Sequence, residues 1–474
     1  MLSNLLFSLG GIVAMKVVGE LGASAVAAVT SGNQIFYALQ AVMMAISAGT
    51  TALVARAWGS EDFDEAIAVT KVSLLVSCVA AVVMTVPGVL FPVQIAMVFG
   101  LDATTTELAG DYILWMSVFS LVFAVNMILG SALRAAGDAR TPLWLGIATN
   151  VIYLLLVFAF VYGWGWIPAM GVAGAAIANG VAFAVAGLVL LLAWSRGWLM
   201  LGFDRKPYWH KRRVRELLDI GYPAGIEQIV FRVGFFLFLG IIGTYYGTAA
   251  FAAYGIGVNV LSVCFVVGFG FSIASSTLVG QNLGAGDPEA ATRAAWRSLR
   301  MSFVAMAVVG TVIIAFARPL AEFMTNDPEV IEHTIAFVWI LGAMMPLMAI
   351  DFSIGGALRG AGDTRYPLRA TLVGLLGMRC GLAVLFAWMQ LGVEWIYAAL
   401  IGDYLAKGLI LLYRFRSGRW RRVFERMRRE RARADAEEAA EEAAEGAAEE
   451  AAQAAQAQAH ADAGEPQDAP KPPR

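Results

Sequence analysis

The sequence predicts an all-α integral membrane protein with about twelve transmembrane helices, arranged as two parallel six-helix repeats. Composition is the first observation behind this. Of 474 residues, 59% are hydrophobic and only 15% charged, and the mean hydropathy is +0.69. Apolar runs recur that are long enough to cross about 30 Å of hydrocarbon as helices. A duplication is the second. Gly355–Leu368, reading GGALRGAGDTRYPL, nearly copies Gly130–Leu143, reading GSALRAAGDARTPL, and Gly362 lies 225 positions after Gly137. The same offset carries Thr50, Leu53, Val54, Gly59 and Asp62 onto Ser275, Leu278, Val279, Gly284 and Asp287, and Gly22 onto Gly247. The third is parity: six spans in each half leave both repeats the same way up, related by an axis along the membrane normal.

In order, the first span runs from Met1 to about Val18 and exits at Gly19–Gly22. Under the offset Met1 corresponds to Ile226, so this span lacks the opening turns supplied by Gly221-Tyr-Pro-Ala-Gly in the second half. A start codon placed too late, a trimmed chain or a short first helix would each account for it. The second span covers roughly Ala25–Ala57, and Asp64 is a candidate N-cap for the third, which ends near Phe91. Spans four to six fall near Thr105–Leu133, Pro142–Tyr162 and Gly171–Trp194, so residues 1–194 form one lobe. A polar linker at 195–215 leads to the second lobe at 216–413. Its spans are Glu216–Gly243, Ala249–Gln281, Ala290–Phe316, Glu329–Leu358, Pro367–Met389 and Glu394–Tyr413. The tail at 414–474 is first basic, with Trp420, Val423, Phe424 and Met427 at helical spacing suited to the inner leaflet. From Asp435 it is rich in Ala and Glu, and it ends in a Pro-containing stretch, Gly464–Arg474, expected to be disordered.

Lys and Arg set the orientation. Arg56, Arg134, Arg140, Arg293, Arg297, Arg359 and Arg365 fall on the same side as the basic linker, and that side is expected to be cytoplasmic, with both termini there. Trp164, Trp166 and Trp395 lie at the opposite boundary, where interfacial aromatics belong. Within the repeated motif the glycines end a span, Asp363 is placed to cap the next turn, and Pro367 stands at the first helical position of the following span. Cys78, Cys264 and Cys380 are scattered in apolar runs, and His210, His333 and His460 are isolated. No zinc site, phosphate-cradling loop or nucleophile elbow follows from these, which argues against an enzyme.

The second half carries charge inside its spans. Glu227, Arg232, Asp351, Arg379, Asp403 and Lys407 all lie in apolar segments, where ionised groups must be paired or hydrated. At about 1.5 Å per residue, Glu227, Asp351, Arg379 and Asp403 sit roughly 18, 12, 21 and 16 Å from the basic boundary. They are candidates for coupling to a cation. One arrangement pairs Asp403 with Lys407 one turn away, and Glu227 or Asp351 with Arg379; in it, all are static packing elements. In the other, Glu227 or Asp351 exchanges a proton or sodium while Arg379 switches partners. Among uncharged polar residues, Gln34, Asn150, Asn179, Asn259 and Gln281 are candidates for lining a substrate cavity, with interhelical hydrogen bonding as the plainer role.

The six-plus-six repeat, the two GALRGAGDTR-type loops, Ser31-Gly-Asn-Gln-Ile-Phe, Thr50-Thr-Ala-Leu-Val-Ala-Arg and the closing Arg414-Phe-Arg-Ser-Gly-Arg-Trp resemble the multidrug and toxic compound extrusion (MATE) family. The resemblance covers about Met1–Trp420. It implies a V-shaped pair of lobes around a cavity that opens alternately, and a secondary antiporter of the cell membrane exporting amphipathic or cationic compounds against protons or sodium. It also implies small-molecule substrates, membrane lipid as surroundings, a monomer, no cofactor beyond the coupling ion and no nucleic-acid partner. The resemblance is broken in the N-terminal lobe. Where many members have an Asp in span one, the string Val13-Ala-Met-Lys-Val-Val-Gly places Ala14. An Asn-x-x-x-Asp pattern becomes Asn150-Val-Ile-Tyr-Leu, with Leu154 in the acid's place, and the usual Thr of span six falls on Asn179. Coupling is therefore expected in the C-terminal lobe. A lipid-linked oligosaccharide flippase of the same superfamily is the alternative, and it would show a strongly basic central cavity.

Overall fold

The computed structural model describes residues 13–165, 167–204, 206 and 208–462. Most of the first span, Met1 to Ile12, therefore lies outside the described residues, as do Trp166, Arg205 and the Gly464–Arg474 tail. Helix occupies 13–19, followed by α1 (Ala23–Gly59), α2 (Phe63–Leu90), α3 (Pro92–Met97), α4 (Ala103–Val118), α5 (Ser120–Ala136), α6 (Arg140–Tyr162) and α7 (Gly171–Ser195). The second half holds α8 (Lys211–Gly284), α9 (Pro288–Ala315), α10 (Ala317–Met324), α11 (Pro328–Gly360), α12 (Arg365–Thr371), a π-type stretch at Leu372–Cys380, α13 (Gly381–Trp388), α14 (Val393–Arg416) and α15 (Arg419–Asp462).

The duplication is visible in where helices begin. The starts of α2 and α9 (Phe63, Pro288), α3 and α10 (Pro92, Ala317), α4 and α11 (Ala103, Pro328), and α6 and α12 (Arg140, Arg365) each differ by the 225 residues of the sequence repeat. Helix α8 is two crossings. Gly247, at φ 78°, turns the chain back, so that Phe231 and Phe265 meet with ring centroids 6.1 Å apart, although a straight helix would separate them by about 50 Å. Among the described residues nine helices are long and apolar enough to span a membrane, the pair α4–α5 makes a tenth crossing bent by 47°, and the break in α8 adds one more. Of the expected dozen, the first span falls mostly outside the described residues.

Local chemistry departs from expectation at several ends. The N-cap of α2 is Asp62, which accepts from Glu65 N at 3.0 Å, while Asp64 lies in the first turn and pairs with Lys206 of the linker. Asp62, immediately before Phe63, has the non-helical backbone a cap needs, at φ −86° and ψ 76°, whereas Asp64 is already inside the helix. In the first repeat Asp138 receives the backbone N–H groups of Arg140 and Thr141, both at 3.0 Å. Its copy Asp363 does not cap; Arg414 Nε donates to it at 2.7 Å, tying the loop to α14. Pro367 is the third residue of α12, not the first. Gly137 and Gly362, at φ 103° and 77°, end their helices in the left-handed region that glycine tolerates. Burial of Trp420 also departs from a leaflet-lying role: its ring stacks on Phe415 at 5.2 Å and its indole N–H donates to Phe415 O.

The halves form two lobes. The core of the second is aromatic: Phe337 meets Tyr254 and Tyr397 edge-on at 5.3 and 5.2 Å, and the Tyr397 hydroxyl donates to Ala250 O at 2.9 Å. Met344 and Met345 are buried in that core and Met43 in the first lobe, so they serve packing. The lobes approach most closely near the basic face. A Cβ at Gly59 would run into Gln281 O, and one at Gly284 into Arg56 O. One at Gly49 would stand 2.7 Å from Leu217 O, and one at Gly221 2.9 Å from Ala45 O. The linker is clasped to α2 by Lys71 with Asp204 and by Arg213 with Glu65, the latter at 2.7 Å.

Candidate functional site

Two groups of charged side chains stand inside the second lobe. The deeper one is built from α14 and the π-type stretch. Asp403 and Lys407 share a face of α14 one turn apart, and their ions lie 3.1 Å from each other. Arg379 reaches Asp403 at 2.5 Å. All three are sealed off, at 0% exposure for Asp403 and 2% for each base. The extra residue per turn of the π-type stretch carries Arg379 round to face α14, and such wide turns gather at functional sites. Phe238 and Tyr404 lie under the guanidinium, with ring centroids 5.8 and 5.7 Å away.

Nearer the basic face is the second group. Arg359, at the end of α11, donates from Nη2 to Glu227 Oε1 at 2.6 Å, and the Thr371 hydroxyl donates to the same oxygen at 3.1 Å. Asp351 stands two turns before Arg359 on α11. A Cβ placed on Gly355 between them would be 3.3 Å from Arg359 Nη1 and 3.8 Å from Asp351 Oδ1, so both groups border one small space. Asp351 makes no ion pair within 4 Å among the described residues, yet the charges of Lys407, Arg359, Glu227 and Asp403 all act on it. This group is less enclosed than the first, with Glu227 12% and Arg359 23% exposed.

The expected partner of Arg379 was Glu227 or Asp351; the structure gives it Asp403 instead, and gives Glu227 to Arg359. Position along a span fixes depth but not azimuth, and Arg359 had been assigned to the loop. Its side chain points back along α11 into the lobe, as helical side chains do. Arg232 lies outside both groups. It meets no acid among the described residues and sits over the ring of Tyr37 of α1 at 4.7 Å, bridging the lobes.

The uncharged candidates scatter. Gln281 donates to Ala135 O at 2.8 Å and so ties the lobes at the basic face. Asn259 is exposed and bonds within its own helix, to Gly255 O. Asn179 reaches only Met116 Sδ, at 3.9 Å, and Gln34 is half-buried on α1. Asn150 is buried and borders a cavity of about 220 Å³ in the first lobe, together with Asn126, Gly130, Arg134, Gly146 and Thr149. That cavity is not legible in the sequence, because it exists only where residues of α5, α6 and α7 pack together.

A family model described as MatE matches residues 1–161 and 223–385, once in each half. The probable multidrug resistance protein NorM of Thermotoga maritima is 31% identical over 423 residues, which cover 88% of this chain and 90% of that one. The FAD transporter of Shewanella oneidensis is 25% identical, over 84% of this chain and 87% of its own. A solved structure described as the outward-facing conformation of a multidrug resistance MATE family transporter of the MOP superfamily matches with TM-score 0.82 at 20% identity, covering 89% of this chain and 94% of that one. At that identity the likeness speaks for the two-lobed helical fold.

Proposed function

The chain belongs to the MatE family of multi-pass membrane transporters and is not an enzyme, and on that footing we propose that it is a secondary active antiporter. It exports amphipathic or cationic organic compounds in exchange for protons or sodium, by alternating access. Its basic face is cytoplasmic, in the plasma membrane, and the close approach of the lobes at that face supports a state closed on the cytoplasmic side. Multidrug export is supported by the name of the Thermotoga maritima relative, while the FAD transporter of Shewanella oneidensis warns that cargo varies among chains this similar.

One observation carries the coupling assignment: the less enclosed group holds two carboxylates, Glu227 and Asp351, against one guanidinium, Arg359. It is locally one positive charge short, and a proton or a sodium ion supplies that charge. Arg359 holds Glu227 while Asp351 is free to take the cation; movement of Arg359 towards Asp351 would hand the vacancy to Glu227. The Asp403 carboxylate, fixed between Arg379 and Lys407, serves as the neighbouring electrostatic wall. Acids match bases in this lobe, which disfavours the oligosaccharide flippase and its strongly basic cavity.

The test is efflux of a fluorescent cationic substrate from everted vesicles, with sodium and pH gradients imposed separately. Glu227→Gln and Asp351→Asn should each lower gradient-driven efflux by tenfold or more. Unchanged efflux in both variants would overturn the assignment.

A further inference from the structure

We infer that the first lobe carries a binding site for a small monovalent anion at Arg134. The repeat offset makes Arg134 the copy of Arg359. Around Arg359 stand Glu227, Asp351 and Thr371; the same offset places Leu2, Asn126 and Gly146 there in the first half. Both acids and the hydroxyl are gone, and the base remains. The space left by these exchanges is the cavity of about 220 Å³, and Arg134, Asn126, Gly146 and Asn150 all line it.

Arg134 is poorly satisfied there. Its one recorded hydrogen bond runs from Nη2 to Ser131 Oγ at 3.2 Å. The neighbouring amides offer no negative charge and are already engaged: Asn126 donates to Val122 O and Phe183 O, Asn150 to Gly146 O, and the Thr149 hydroxyl to Leu145 O. Among the described residues no acid lines the cavity. A guanidinium inside a membrane lobe needs a counter-charge or deep hydration, and it cannot shed its proton. A cavity of this size accepts one small anion with a few waters. Arg134 supplies both the charge and the N–H groups that its one bond to Ser131 leaves over, and the anion takes the role that Glu227 plays beside Arg359.

Chloride is the probe, and binding is read without transport, so the result stands apart from the antiport proposal. The full chain, purified in detergent, is melted in sodium chloride and in sodium lactobionate of equal ionic strength, lactobionate being too bulky for the cavity. The melting temperature should rise with chloride and saturate, as for a ligand bound by the folded state alone. Asn126→Asp gives up the amide's donations to Val122 O and Phe183 O but supplies a built-in carboxylate, so its melting temperature, wherever it lies, should be the same in both salts; Arg134→Gln should lose the dependence as well. Bromide soaked into crystals should give an anomalous peak within hydrogen-bonding reach of the Arg134 guanidinium. No chloride-dependent rise in the unaltered protein, or an equal rise in Asn126→Asp, overturns the proposal. Because Asn126→Asp is nearly isosteric, it decides the matter even if Arg134→Gln fails to fold.

Discussion

At the scale of single residues, the two acidic groups of the second lobe should respond oppositely to neutralisation. Asp403 is fully buried between two cations. Asp403→Asn leaves Arg379 and Lys407 facing each other without a counter-charge, and breaking a buried pair costs about 3–5 kcal/mol. The expected outcome is a large fall in melting temperature and in yield of folded protein. Lys407→Met should be milder, since Arg379 still neutralises Asp403. Glu227→Gln should melt close to the unaltered protein, because its group is less enclosed, yet transport should suffer. Equal melting losses in Asp403→Asn and Glu227→Gln would remove the distinction between a structural and an exchanging carboxylate. That these groups are buried in hydrocarbon-long runs was legible in the sequence. So was the pairing of Asp403 with Lys407, one turn away; the partners of Arg379 and Arg359 were not, because they lie 24 and 132 positions away and their meeting depends on how each helix is rotated.

At the scale of elements, the helices of the two halves begin in register but end differently. Helix α11 runs unbroken where α4 and α5 bend by 47° at Phe119, and the regular α6 is answered by a segment with a π-type middle. A duplicated fold has here been adapted by local changes of helix pitch, which carry Arg379 into the second lobe and leave Asn150 in the corresponding span of the first. The crossing of α1 with the second arm of α8 depends on glycine at both helix ends, since neither Gly59 nor Gly284 leaves room for a Cβ. Gly59→Leu should therefore wedge the lobes apart at the basic face. A cysteine at Ser276, which is buried in the unaltered protein, should then react faster with a polar thiol reagent added from that face. An unchanged rate would mean that the helices slide to absorb the side chain.

For the whole molecule, the clasp at the basic face is a statement about which side is open, and alternating access requires it to break. A Cβ on Gly225 would lie 3.2 Å from the Cβ of Ala45, close to the separation that a disulfide spans. The double variant Ala45→Cys with Gly225→Cys should cross-link under mild oxidation and stop transport, and reduction should restore it. Transport that continues through the cross-linked protein would show that the two lobes need not part at this contact. The arrangement also accounts for the bridging Arg232, whose contact with Tyr37 is made across the lobes and would be lost when they separate.

The sequence alone determined the membrane class, the duplication and the gathering of acids and bases deep in the second half's spans. These depend on composition and on periodicity along the chain, and both are written in one dimension. Tertiary structure decided the rest: that Arg359 belongs to the lobe interior, that Asp403 is locked by two bases, and that a hollow faces Arg134. Each of these depends on the rotation of a helix about its own axis and on what the facing helix lacks, quantities that no run of residues encodes by itself.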